Sequence, residues 1–173
     1  VPPDILRDLF EAARWAPSSF NEQPWRFIVA TKADEEGFEK IASCLNEKNR
    51  RWAPEAPVLV LTAVRTTNSR TGKPNPHARH DLGLAVGNLT ALATAYGLYL
   101  HQMAGILPDR ARDVFGIPDE FEPVTGIALG YLGQPEQLPD DLAEKERQRR
   151  TDRKRRPLAE TVFTGAWGES LGV

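Results

Sequence analysis

The sequence predicts a layered sandwich of helices and strands, α/β or α+β, and three observations lead there. Helix-period and strand-period segments interleave along the chain. Two strand segments, Val58–Val64 and Val124–Leu132, read as central strands, the first a continuous apolar run of the kind covered on both faces. One helical segment, Asp81–Tyr96, is apolar nearly all round. With 173 residues, 40% hydrophobic and 27% charged, the chain is long enough to bury a core, and it is expected to form one domain over residues 1–173.

Pro3 and Asp4 open the first helix, where a missing N–H costs little, and Leu6, Leu9, Phe10 and Ala13 share one face. Arg26–Thr31 alternates as a strand. Asp34 is placed to cap a second helix carrying Phe38, Ile41 and Leu45 on one side. After the strand Val58–Val64, the stretch Arg65–His77 is rich in Thr, Asn, Gly and Pro and reads as a flexible loop. Gly97 ends the long helix Asp81–Tyr96, whose wide apolar surface calls for burial in the core or between subunits. Leu98–Met103 is a short strand. Pro108–Phe115 is a small helix ended by Gly116, and Val124–Leu132 holds Gly126 and Gly130 inside it. Leu138–Arg150 reads as a charged, solvent-facing helix, followed by a basic turn and the tail Leu158–Val173.

Several function classes drop out. Cys44 is the one cysteine, so no internal disulfide forms and a reducing, cytoplasmic setting is expected. Its neighbours Ile41 and Leu45 make it a buried, inert thiol rather than a nucleophile. No segment approaches the roughly 20 apolar residues of a membrane span, and no signal peptide is seen, so no membrane partner is expected. Lys145–Arg156 holds eight Lys/Arg against two acids, but the net charge is −2. That is a local patch without interleaved aromatics, and no nucleic-acid partner is expected. His77, His80 and His101 lack metal-ligand spacing, and no metal site is expected. There is no GxGxxG, P-loop, HExxH, CxxC or nucleophile elbow. No catalytic side chain is expected; the chemistry must come from a cofactor that the protein positions and tunes.

The segment Ala16-Pro17-Ser18-Ser19-Phe20-Asn21-Glu22-Gln23-Pro24-Trp25 is the most informative in the chain. Two prolines bar continuation of the helix, and Ser18, Ser19, Asn21 and Gln23 crowd donors and acceptors into a semi-rigid turn. On composition alone it is a helix stop with Ser/Asn turn chemistry. Its order, A-P-S-S-x-N-x-Q-P-W, resembles the signature of the nitroreductase family of FMN enzymes. Further blocks resemble that family in order: Asn49-Arg50-Arg51-Trp52 with Ala56-Pro57-Val58, His80–Ala85, His101–Gly105 with Gly116-Ile117-Pro118, Gly126–Tyr131, and Arg153–Leu158.

The resemblance implies an α+β fold, a three-layer nitroreductase-like sandwich with a central, mostly antiparallel sheet flanked by helices, assembled as an intertwined homodimer. It implies FMN as cofactor, NAD(P)H (NAD or NADP form) as co-substrate, and a small-molecule electron acceptor such as a nitroaromatic or quinone, reduced by ping-pong turnover. A non-catalytic flavin-binding protein of the same fold, a reservoir or sensor, is the alternative. The implied cofactor-binding residues are Pro17, Ser18, Ser19, Asn21, Asn49, Arg51, Met103, Ala104, Gly105, Arg153 and Arg155. Ser18, Ser19 and Asn21 would meet the ribityl chain or pyrimidine edge from the other subunit, and Asn49 and Arg51 the pyrimidine end. Ala104 and Gly105 would act through their backbone, since a glycine lets its N–H approach flavin N5 and O4 closely, and Met103 would chiefly pack the core. Arg153 and Arg155 would clamp the 5′-phosphate: they alternate, so in an extended segment both face one way while Lys154 and Arg156 face the other. The family's Arg-x-Ser-x-Arg segment ahead of the first helix does not appear after Val1. Phosphate binding is therefore expected from the C-terminal arginines, or with help from residues ahead of Val1.

Overall fold

A computed structural model describes residues 1–172; the expected tail Leu158–Val173 is described as far as Gly172, and Val173 lies outside the described residues. The chain packs as two compact units, Val1–Leu132 and Gly133–Val173.

The first unit is built on a four-stranded, wholly antiparallel sheet in the order β1-β2-β4-β3. Its strands are β1 (Trp25–Thr31), β2 (Val58–Arg65), β3 (Tyr99–Met103) and β4 (Phe121–Gly130). Alternation sends side chains to both faces. From β2, Val58, Val60 and Val64 join one core with α1 (Pro3–Arg14) and α4 (Ala78–Ala95), while Leu59 and Leu61 join another with α2 (Glu35–Ser43) and α5 (Pro108–Phe115). Helix, sheet, helix: this is the three-layer α+β sandwich expected.

Local signals held where they were local. The Asp34 carboxylate accepts the Gly37 N–H at 3.0 Å and caps α2. Gly97 and Gly116 take φ of 69° and 60° just beyond α4 and α5. Cys44 is fully buried, and burial pushes its thiol above the ordinary range.

Several boundaries moved, and one helix was added. β4 begins at Phe121 rather than Val124, because the pairing with β2 slips between Thr62 and Ala63 and so places Pro123, which has no N–H to donate, opposite Ala63. The buried Thr62 hydroxyl fills that irregularity, accepting the Thr125 N–H at 3.0 Å and meeting the Thr125 hydroxyl at 2.8 Å. α4 starts at Ala78, which brings His80 and Asp81 into its first turn. A further helix, α3 (Glu47–Arg50), is capped by the Asn46 side chain, which accepts the Asn49 N–H at 3.0 Å.

Arg65–His77 is not an irregular loop but an internally bonded hairpin. Asn68 N–H donates to Lys73 O, Gly72 N–H to Asn68 O, and Thr67 bridges Pro74. The Asn68 side chain accepts from the N–H groups of Arg70 and Thr71, an Asx turn that the Thr/Asn/Gly composition disguised as flexibility.

The second unit contains α6 (Asp140–Thr151), laced by ion pairs such as Arg147–Glu136 and Arg150–Glu146. No helix among the described residues is long and apolar enough to cross a membrane.

Candidate functional site

The signature turn is strained and heavily braced. Phe20, Asn21 and Gln23 all take left-handed φ (53°, 57° and 47°), a conformation costing roughly 1–2 kcal/mol for a residue with a Cβ. Ser18 and Ser19 supply the bracing. The Ser18 hydroxyl accepts the Gln23 N–H at 3.0 Å, and the Ser19 N–H donates to Asp81 Oδ2 at 3.0 Å. Asp81 is 2% exposed, in the first turn of α4 where the helix dipole favours a carboxylate. Gln23 Nε2 closes on the Asn21 carbonyl and side chain, both at 3.2 Å. Pro17 and Asn21 are exposed, and Ser18 and Ser19 half-buried, so the turn presents its polar edge outward.

Glu22, one of the two variable positions of the motif, joins this turn to the 65–77 hairpin. Its carboxylate accepts the Ser69 N–H at 2.7 Å and the Ser69 hydroxyl at 3.2 Å, and Arg70 donates to Phe20 O at 3.0 Å. The Ser69 N–H is the main cause holding the Glu22 carboxyl below the ordinary carboxylate range. Between turn and hairpin lies a cleft of about 500 Å³.

A second cluster forms where β3 ends. The Gly105 carbonyl accepts from the Asn46 N–H and from Asn49 Nδ2, each at 3.0 Å. A Cβ on Gly105 would stand 2.3 Å from Asn46 Nδ2 and 2.7 Å from Asn49 Nδ2. Glycine is therefore demanded here by the two carboxamides of the chain itself. Among the described residues, the N–H groups of Ala104 and Gly105 have no acceptor. Met103 is 2% exposed in the α2/α5-side core, which leaves only its backbone for a ligand. Arg51 directly follows α3 and is exposed.

The structure does not bring these two clusters together within one chain. The signature turn leads into β1 and is bonded to α4, on one face of the sheet. Gly105 follows β3, at the opposite edge, and its neighbours Leu45 and Ile106 belong to the other face. Three strand spacings, about 14 Å, and the thickness of the sheet separate the edges.

In the second unit, residues 152–157 are irregular and exposed. Lys154 pairs with Asp152 at 3.5 Å and Arg156 with Glu160 at 3.6 Å. Arg153 and Arg155 have no carboxylate partner among the described residues, and Arg155 only touches the Lys154 carbonyl. Within this run the ion pairs thus fall on Lys154 and Arg156 and not on Arg153 and Arg155.

Sequence reasoning missed Asp81, Glu22 and Asn46. In the sequence Asp81 reads only as the start of a helical segment. The N-cap pattern of Asn46 ahead of Glu47 was the one available signal among the three.

A family model described as the nitroreductase family matches residues 1–131. An uncharacterised 15.4 kDa protein in the ask 5′ region of Mycolicibacterium smegmatis is 31% identical over 153 residues, covering 84% of this chain and 99% of that protein. A Thermus thermophilus protein named NADH dehydrogenase is 28% identical over 162 residues, 76% of this chain and 77% of its own. A crystal structure described as an oxidoreductase containing FMN superposes with a TM-score of 0.88 at 38% identity, covering 98% of this chain and 85% of that one. A nitroreductase family protein from Clostridium difficile 630 superposes at 0.71 with 27% identity, covering 96% and 88%.

Proposed function

This chain belongs to the nitroreductase family, and from that premise we propose that it is an FMN-dependent oxidoreductase passing electrons from NAD(P)H to nitroaromatic, quinone or similar electrophilic acceptors by a ping-pong mechanism. The observation that carries this reading is the pair of N–H groups at Ala104 and Gly105 that find no acceptor among the described residues, beside the Asn49 carboxamide. Those donors suit the N5/O4 edge of a flavin. Asn49 and Arg51 suit its pyrimidine end, and the unneutralised guanidiniums of Arg153 and Arg155 suit its 5′-phosphate. Residues 1–173 are taken as one FMN-binding domain on the same reading.

Bound FMN supplies the redox chemistry, taking a hydride from the nicotinamide and yielding two electrons to the acceptor. The chain's share is positional. Asp81 holds the Ser19 backbone, Ser18 and Gln23 hold the turn in its left-handed shape, and Arg51 would supply positive charge to the pyrimidine end of a bound flavin. Protons come from solvent, consistent with the absence of a side-chain acid or base in the proposal.

Two copies of the chain are needed, because one chain carries the two clusters on opposite edges and faces. α4 offers the contact. Gly83 and Gly87 lie on its exposed side with Leu84 and Ala91, and a Cβ on either glycine would meet nothing within 4 Å. An interior glycine costs a helix about 1 kcal/mol relative to alanine, a cost that close approach of a second helix explains. Gly87→Leu is expected to raise intrinsic helix propensity yet convert a dimer to a single 19.3 kDa chain, read by light scattering. A wild-type mass of one chain at micromolar concentration would refute the shared site. The buried, lone Cys44 supports a cytoplasmic setting.

The functional test is spectroscopic. The purified protein should carry or take up FMN, bleach with NADH or NADPH without oxygen, and recolour when a quinone or nitroaromatic is added. Failure to take up FMN sinks the reading; uptake without bleaching leaves a flavin-binding protein without turnover.

A further inference from the structure

The cleft between the signature turn and the 65–77 hairpin has a built floor and an unbalanced charge. Arg70 and Lys73 reach its lining from the hairpin, and Ser19 and Phe20 from the turn. Its carboxylate, Glu22, is 4% exposed in its side chain, engaged by Ser69 and ion-paired at 3.9 Å with Arg70, so one carboxylate faces two cations and Lys73 is left unbalanced. Lys73 makes no ion pair among the described residues. The Asn75 side-chain amide, on the same wall, is buried and has no acceptor. The backbone that carries these groups is set by the Asx turn at Asn68, and the Arg70 guanidinium is aimed by its bond to Phe20 O. Two cations on a fixed hairpin, beside one occupied carboxylate, suit a dianion with several acceptor oxygens.

We propose that this cleft is a subsite for a phosphate monoester, the 2′-phosphate that distinguishes NADPH from NADH, held by Arg70 and Lys73. The assignment rests on NAD(P)H being the electron donor. It adds a specificity-determining contact, since Ser19 and Phe20 are shared between the cleft and the turn assigned to the flavin.

The test is calorimetric titration of the full chain, reconstituted with FMN, using 2′,5′-ADP and 5′-AMP at low ionic strength. The 2′-phosphate should tighten binding about tenfold or more, and added salt should narrow the gap. Lys73→Ala, on an exposed side chain, should bring 2′,5′-ADP close to 5′-AMP, and Lys73→Arg should retain the preference. Arg70→Gln should act in the same direction. Equal affinities in the wild type, or a preference that survives both Lys73→Ala and Arg70→Gln, overturns the proposal. A third titrant, 4-nitrobenzoate, separates donor from acceptor: if Lys73→Ala weakens it and leaves 2′,5′-ADP untouched, the subsite serves an anionic acceptor and the NADPH assignment falls. Flavin absorbance in the same samples keeps the two readings apart. A chain that takes up no FMN but prefers 2′,5′-ADP refutes the oxidoreductase reading and retains the anion subsite. A chain bleached by NADH and NADPH that shows no preference refutes the subsite alone.

Discussion

Changing Arg153 and Arg155 together to alanine is expected to weaken FMN binding by about two to four powers of ten while leaving the fold intact. Each hydrogen bond to a charged group contributes roughly 1.5–3 kcal/mol, and each 1.4 kcal/mol is tenfold in affinity. The structure sharpens the control. Lys154 and Arg156 sit in the same run but already pair with Asp152 and Glu160, so their double alanine variant should bind FMN far more nearly like wild type. Nonspecific attraction of a polyanion to the basic stretch predicts the opposite, equal losses from either pair. FMN titration by fluorescence quenching decides, and unchanged affinity in the Arg153/Arg155 variant removes the clamp. Both arginines are exposed and make no ion pair among the described residues, so melting temperature should not move.

Gly105→Val should be damaging on two counts, and the structure sets their order. From sequence alone, a β-branched residue here is expected to obstruct hydride transfer more than it harms stability. The cradle reverses that expectation. The added Cβ falls 2.3 Å from Asn46 Nδ2, so Asn46 and Asn49 must both move. Asn46 caps α3 and Asn49 bonds the Gly105 carbonyl, so overpacking and a lost cap combine. Overpacking costs typically 1–3 kcal/mol and a lost cap about 1, which for a chain of this size lowers the melting temperature by roughly 5–10 °C. FMN affinity should fall with it, because displacing Asn49 disturbs the same donor set that the Ala104 and Gly105 N–H groups complete. Gly105→Ala should do the same to a smaller degree. A Gly105→Val protein with wild-type melting and normal bleaching would contradict both the cradle and its assignment to the flavin edge.

What the sequence by itself determined is what neighbours along the chain determine. Asp34 three residues before Gly37 and the glycines after α4 and α5 express contacts a few residues apart, and the largely apolar run of β2 expresses burial on both faces; each was legible from spacing. The signature turn is legible as an identity: its residues alone point to a flavin enzyme family. What braces that turn is not. Ser19 bonds Asp81 across 62 positions, and Glu22 bonds Ser69 across 47. No periodicity encodes such pairings, because they depend on which helix packs on which face of the sheet. The same packing decided that Gly105 is a glycine for the sake of Asn46 and Asn49. It also put the signature turn and the Gly105 cluster at opposite edges and faces of one sheet. Antiparallel order β1-β2-β4-β3 fixes that separation, since strands hydrogen-bonded at a spacing of about 4.8 Å cannot bring their outer edges together without closing into a barrel.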